Sequence, residues 1–437
     1  MGNNIKYTLS KSNLRIKDGS AGQLLFFIIW PFGALLYSLR DMKSRNFLII
    51  YTLFCILMCW NLDIKGKTYD DLSGICYMFM NTDSSTEAFL YNLRAYVIQS
   101  PDAPREIFIY FMMWLTRLFS DNPHTFFALC SLPYLFFQIK CFKAILEDEK
   151  FVNGLTGVLI IFLFMWPRDI ITVQNPRFTV GLWLCIYVFI KSFLPSTKGN
   201  KHLLWLLLAP TIHSGFWIIA SILLVCILVG KVTKHYRYLI PLVYLSIPFS
   251  FLSIDLMSQF SISFFPQGSA LDIWISNYMT LEVEQTSSGT GGFYWVPILF
   301  GFLKTIAYLL VPIFLIRRRK MNIKDANTNN LISAFLITFA IANFIQMIPV
   351  LGVRFYWFIH ILSIYVVFKV YGTKSILYTI IFIACAWDIF SRYFWGGAVA
   401  HSVPLIVFYT PLPYILYEYW GATSMNIVYY EGMNNVL

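Results

Sequence analysis

The chain has 437 residues, of which 58% are hydrophobic and 13% charged, where a soluble domain carries roughly a quarter charged residues. With a mean hydropathy of +0.64 and apolar runs long enough to cross about 30 Å of hydrocarbon, a soluble globular enzyme is excluded. The net charge of +11 resides mostly between apolar runs, so it reports topology before any polyanionic partner, and no nucleic acid is expected.

The first residues, MGNNIKYTLSKSNLRIKDGS, are too polar for a cleaved signal peptide, and Lys6 occupies the position where a myristoylation signal needs Ser or Thr. The first apolar run, 21–39, implies either an outside N-terminus or a hairpin at Pro31-Phe32-Gly33. A second run ends near residue 60. Residues 61–123 then carry Asp63, Asp70, Asp71, Asp83, Glu87, Asp102, Glu106 and Asp121 and end in IFIYFMMWLTRLF, an apolar run too short to span. That segment is expected to be extracytoplasmic, its last part an interfacial amphipathic helix.

Further spans are expected near 124–139, 152–167, 177–194, 202–213, 214–230, 237–256, 293–316, 330–350, 353–371, 375–395 and 402–418, with the short 202–213 run tilted or broken at Pro210. Five basic clusters alternate with them: Lys140, Lys143 and Lys150; Lys191, Lys198 and Lys201; Lys231, Lys234 and Arg237; Arg317 to Lys320 with Lys324; and Lys369 with Lys374. Placed in the cytoplasm, they leave the intervening turns outside. Residues 258–292, a second outer loop, contain neither Lys nor Arg. No repeat or soluble domain is written, so residues 1–437 form a single membrane domain, an all-α polytopic fold of about 11–14 transmembrane helices.

Charges near membrane depth are costly and count as candidates. The outer turn 167–177 holds Arg168, Asp169, Gln174, Asn175 and Arg177. Guanidinium forks bind phosphate oxygens bidentately and stay charged, although Arg168 can equally pair with Asp169 and Arg177 snorkel to headgroups. His213, at the tip of PTIHSG, offers a general acid or base, or a phosphate ligand, against the plainer reading of a structural turn histidine. Arg354 precedes Tyr356 and Trp357, against which it would stack unless it binds sugar or phosphate. Lys304, near the middle of a span, ranks below the arginines. Asp70 and Asp71 could deprotonate an acceptor hydroxyl, or simply cap a helix. The eight cysteines spell neither a disulfide framework nor a zinc site, and no Walker, dinucleotide or HExxH motif occurs, so no cofactor and no metal site is expected.

Several stretches together, the Tyr-Asp-Asp loop with Tyr77, then REIFIYFMMWLTRLFSDNPHTFFALCSLPYLFFQIKCFKAI, VQNPRFTVGLWLCIYVFIKSF, LLAPTIHSGFWIIASILL and VRFYWF, resemble the EpsG-like branch of Wzy-type bacterial polysaccharide polymerases over most of residues 45–372. The acidic first loop with its juxtamembrane helix is similar to the C-type membrane glycosyltransferase (GT-C) plan. The resemblance implies an enzyme of the inner membrane, its active site on the outer side. A glycan on polyprenyl diphosphate would be transferred there onto a new lipid-linked repeat unit. It implies Arg177, with Arg168 or Arg354, at the diphosphate, Gln174, Asn175 and Tyr356 at the substrate, and Asp70, Asp71 or His213 taking the acceptor proton. Implied partners are the polyprenyl-diphosphate-linked oligosaccharide, membrane lipids, a chain-length regulator and a flippase. Pro176 departs from the family, which usually has a helix-friendly residue there, and the first loop lacks the usual Gly-Asp pairing. The rival readings are a flippase or transporter of lipid-linked sugars, expected to show internal repeats, a multi-span acyltransferase with cytoplasmic His and Arg, and an O-antigen ligase with a larger late loop.

Overall fold

The computed structural model describes residues 20–62, 71–160, 176–251, 310–315, 325–346, 349–386 and 405–420, apart from short interruptions inside them. Among these residues the chain is all-helical, without strands. Two helices, Pro123–Leu146 and Ala326–Ile345, are long and apolar enough to cross a membrane by length and composition.

The first apolar run is two helices, α1 (Ser20–Ile29) and α2 (Pro31–Ser38), broken at Trp30, whose backbone is extended. Pro31 has no N–H to donate and starts the second helix. Gly33 accommodates the Trp30 ring, because a Cβ there would stand 2.0 Å from Trp30 Cε3. The indole N–H donates to the Phe408 carbonyl at 2.7 Å. Of the two alternatives for this run, an outside N-terminus or a hairpin at Pro31-Phe32-Gly33, the helix interruption bears on the second and falls at Trp30, where the indole finds both a partner and a glycine to lie on.

Helix α3 (Arg45–Trp60) is capped by Ser44, whose side chain accepts from the Phe47 N–H. Three short helices then occupy the acidic segment: α4 (Asp71–Asn81), α5 (Thr86–Ile98) and α6 (Ile107–Arg117). As the short apolar run predicts, α6 is one-sided: Ile109, Met112, Met113 and Thr116 are buried, while Phe111 is exposed. Helix α7 (Pro123–Leu146) is capped by Asn122 and packs between α3 and α8 (Pro176–Ser192).

The short 202–213 run is irregular, as expected: a 3-10 stretch over Lys201–Leu208 gives way at Pro210 to α9 (Ala209–Ile212). There follow α10 (Phe216–Val232), α11 (Ile240–Ser246), α12 (Ala326–Ile345), α13 (Pro349–Tyr371) and α14 (Leu412–Trp420). Helices α10 and α12 meet at Gly230, where a Cβ would lie 2.5 Å from Ala334 Cβ.

Helices α7, α8, α10 and α13 each carry a lysine in the last turn: Lys143, Lys191, Lys231 and Lys369. At that end of the bundle Lys369 pairs with Asp148, and Lys231 donates to Asn200 Oδ1 at 2.7 Å. Cations suit helix C-termini, so the arrangement has a local electrostatic cause. All the cysteines among the described residues are free and buried.

Candidate active site

At the opposite end, where α8 and α13 begin, four residues far apart in sequence converge. Pro176, at the start of α8, is well suited to a first turn, where a missing N–H costs nothing. That places Arg177 at the mouth of the bundle. His213 closes α9 with an extended backbone (φ −152°, ψ 124°), and the turn through Ser214 and Gly215 carries the chain into α10. Arg354 lies on the second turn of α13. Glu106 precedes α6 in the N-cap position, yet its side chain makes no capping bond.

That carboxylate is instead the centre of the cluster. Its Oε2 accepts from Arg177 Nη1 at 2.9 Å. Its Oε1 faces His213 Nδ1 and accepts from the Ser214 N–H at 3.2 Å and the Ser214 hydroxyl at 3.3 Å. On the far side of the imidazole, Arg354 Nη1 lies 3.3 Å from Nε2. The side chains of Glu106 and His213 are each 7% exposed, and that of Arg177 is 24% exposed.

An aromatic wall holds the imidazole. Phe178 meets His213 edge-on at 6.0 Å and Trp357 edge-on at 5.0 Å, and lies tilted against Phe216 at 5.3 Å. The Arg354 guanidinium lies 5.3 Å from the Phe178 ring centre, a cation–π contact, so α8 supplies an aromatic against which it stacks. Phe216 reaches this position because Gly181 on α8 has no side chain, and a Cβ there would stand 2.5 Å from the Phe216 ring.

Burial alone would raise the Glu106 pKa, but the hydrogen bond and charge of His213, the Arg177 guanidinium and the Ser214 N–H outweigh it and hold the carboxyl at about 2, against an ordinary 4.5. A depressed carboxyl contributes stability that is present above its unfolded value and is lost as pH falls through its folded value. Thermal unfolding is therefore expected to show a loss of stability between about pH 4.5 and pH 2 that Glu106→Gln flattens. An equal slope in wild type and variant would contradict this electrostatic account.

Of the sequence candidates, Arg177, His213 and Arg354 come together. Tyr356 is buried, and its hydroxyl donates to Asn343 Oδ1 at 2.5 Å. Asn343 in turn donates to Ser246 Oγ at 2.8 Å, so this chain ties α13 to α12 and α11. Asp71 opens α4, but its side chain is not among those described, and Asp70, Arg168, Asp169, Gln174, Asn175 and Lys304 lie outside the described residues. The residue that sequence reading passed over is Glu106, grouped there with the other acids of the first loop. Its signal was its position, the acid immediately before the apolar run that becomes α6.

An open cleft at the other end of α6 brings Asp83, Ser85, Thr86, Trp114 and Arg117 together. Its polar groups are largely spent on local structure: Asp83 accepts from the Ser85 N–H just before α5, the Ser85 hydroxyl accepts from the Ala88 N–H in its first turn, and Thr86 accepts from the Trp114 indole at 3.2 Å.

Comparison with family models, with curated proteins and with solved structures finds no match for this chain. The functional reading therefore stands on the residues themselves. Among the described residues they define an all-helical fold with two helices of membrane-crossing length and a Glu106–Arg177–His213–Arg354 cluster in which the carboxylate and the imidazole are buried.

Proposed function

We propose that the chain is a polytopic membrane glycosyltransferase of the polysaccharide-polymerase kind, built on a GT-C-like plan. It elongates a glycan carried on polyprenyl diphosphate at the outer face of the bacterial inner membrane. The observation that carries the reading is the convergence of Arg177, His213 and Arg354 at the end of the bundle opposite the helix-terminal lysines.

Those lysines fit the cytoplasmic side by the positive-inside rule, which puts the cluster outside. There the acceptor hydroxyl oxygen attacks the anomeric carbon of the donor. The bond from that carbon to the diphosphate oxygen breaks, and its electron pair leaves on the diphosphate. Arg177 and Arg354 stabilise the charge that develops on this leaving group, and His213 receives the acceptor proton.

Purified protein in liposomes, supplied with polyprenyl-diphosphate-linked repeat units, is expected to produce a glycan ladder on a gel. Labelled units crossing the bilayer without any ladder would overturn the polymerase in favour of a flippase. The orientation has its own check. Asp83 and Lys198 are exposed near opposite ends of the bundle, so a membrane-impermeant thiol reagent on intact cells is expected to label Asp83→Cys and to spare Lys198→Cys until the cells are opened. The reverse pattern would invert the topology.

A further inference from the structure

We propose that Glu106 is the positioning residue of this site: it holds His213 in the tautomer protonated at Nδ1, leaving Nε2 as the proton acceptor, and fixes Arg177 beside it. The catalytic consequence rests on the glycosyltransferase reading above. The geometric claim does not.

Both faces of the imidazole point the same way. Nδ1 faces a carboxylate oxygen, which can only accept while ionised, so this nitrogen carries the hydrogen. Nε2 faces a guanidinium N–H, which can only donate, so this nitrogen carries the lone pair, and it becomes free to take the acceptor proton when Arg354 turns its N–H to the diphosphate. A carboxylate orienting a histidine through one nitrogen while the other does the chemistry is one arrangement by which enzymes activate a hydroxyl.

Glu106 is not itself placed to take the acceptor proton. Oε1 already accepts from Ser214 and faces His213, and Oε2 accepts from Arg177. A carboxylate engaged on both oxygens by donors is a poor base and a good anchor. Because its side chain bridges a histidine 107 positions away and an arginine 71 positions away, a single carboxylate sets the distance between the proton acceptor and a diphosphate-binding guanidinium.

The test reads the tautomer directly. Full-length protein labelled with 15N-histidine is examined in lipid nanodiscs, with the His213 signals assigned by their loss in His213→Gln. Wild type is expected to show a protonated Nδ1 and a bare Nε2. Glu106→Gln is expected to shift the population toward the other tautomer, and Glu106→Asp to restore the wild-type state. A wild-type imidazole protonated at Nε2 would overturn the proposal, as would a Glu106→Gln spectrum identical to wild type. Should Glu106→Gln fail to fold, the wild-type spectrum alone decides. In the elongation assay the Gln variant is expected to lose about 100-fold in kcat, with partial recovery in Asp. Equal rates in wild type and Gln would reduce Glu106 to a structural contact. The expected tautomer in a wild type that elongates nothing would remove the polymerase reading and leave the positioning role intact.

Discussion

Arg177→Ala is expected to lower glycan elongation by about 100- to 1,000-fold, the loss seen when one preorganised donor to a developing oxyanion is removed. The fold should survive. Removing one partner of a buried pair costs about 3–5 kcal/mol, but the Arg177 side chain is 24% exposed and water reaches it. The stability loss therefore falls at or below the lower end of that range. Glu106 would keep His213 and Ser214 as partners. Arg177→Lys restores charge but not the two-pronged geometry, so it should recover stability more fully than rate. A variant that elongates at the wild-type rate would remove Arg177 from the diphosphate. A variant that no longer folds would show the guanidinium to be chiefly a counterion for Glu106.

Gly230→Leu has the larger structural effect, and it lies far from the chemistry. Helices α10 and α12 cross with Ala334 directly against Gly230: an added Cβ would meet Ala334 Cβ at 2.5 Å, its Cα at 2.7 Å and its backbone nitrogen at 2.8 Å. Two of those three atoms are main chain and cannot turn away. Overpacking a tight contact costs about 1–3 kcal/mol, so Gly230→Ala is expected to lower the melting temperature measurably. Gly230→Leu, with three more carbons in the same gap, should leave little folded protein in size-exclusion chromatography. Ala334→Gly should partly rescue the Ala variant, because it removes the nearest of the three contacts, and should not rescue Leu. A monodisperse Gly230→Leu protein with an unchanged melting temperature would mean that the two helices do not meet here.

Much of the helical layout was legible in the sequence because burial and length leave a periodic trace. The runs expected at 124–139, 177–194, 214–230 and 353–371 correspond to helices, and the Pro210 irregularity follows from the missing N–H of proline. The short apolar run after Glu106, too short to span, forms a helix with one buried face. The site was only partly legible. Arg177, His213 and Arg354 stood out because a charge or an imidazole beside an apolar run is costly. Glu106 stood among the acids of the first loop, set apart only by its place immediately before the apolar run, which says nothing of what it would meet. Its partners lie 71 and 107 positions away, and separations of that size are fixed by tertiary packing alone. The packing of Tyr356, whose hydroxyl turns toward Asn343, is likewise not written in its neighbours in VRFYWF. The aromatic partner of Arg354 was sought among its chain neighbours, but Phe178 on α8 also supplies one across the helix interface.

The central claim is that the guanidiniums of this cluster receive a diphosphate leaving group as a glycosidic bond forms. Its most direct measurement counts both products in one reconstituted reaction: new glycosidic bonds from the glycan ladder, and polyprenyl diphosphate released into the lipid. The account predicts one diphosphate freed per bond in wild type, and both products falling together in Arg177→Ala and Arg354→Ala while binding and folding controls remain intact. Bond formation without stoichiometric diphosphate release, or at an undiminished rate in the two arginine variants, would contradict it.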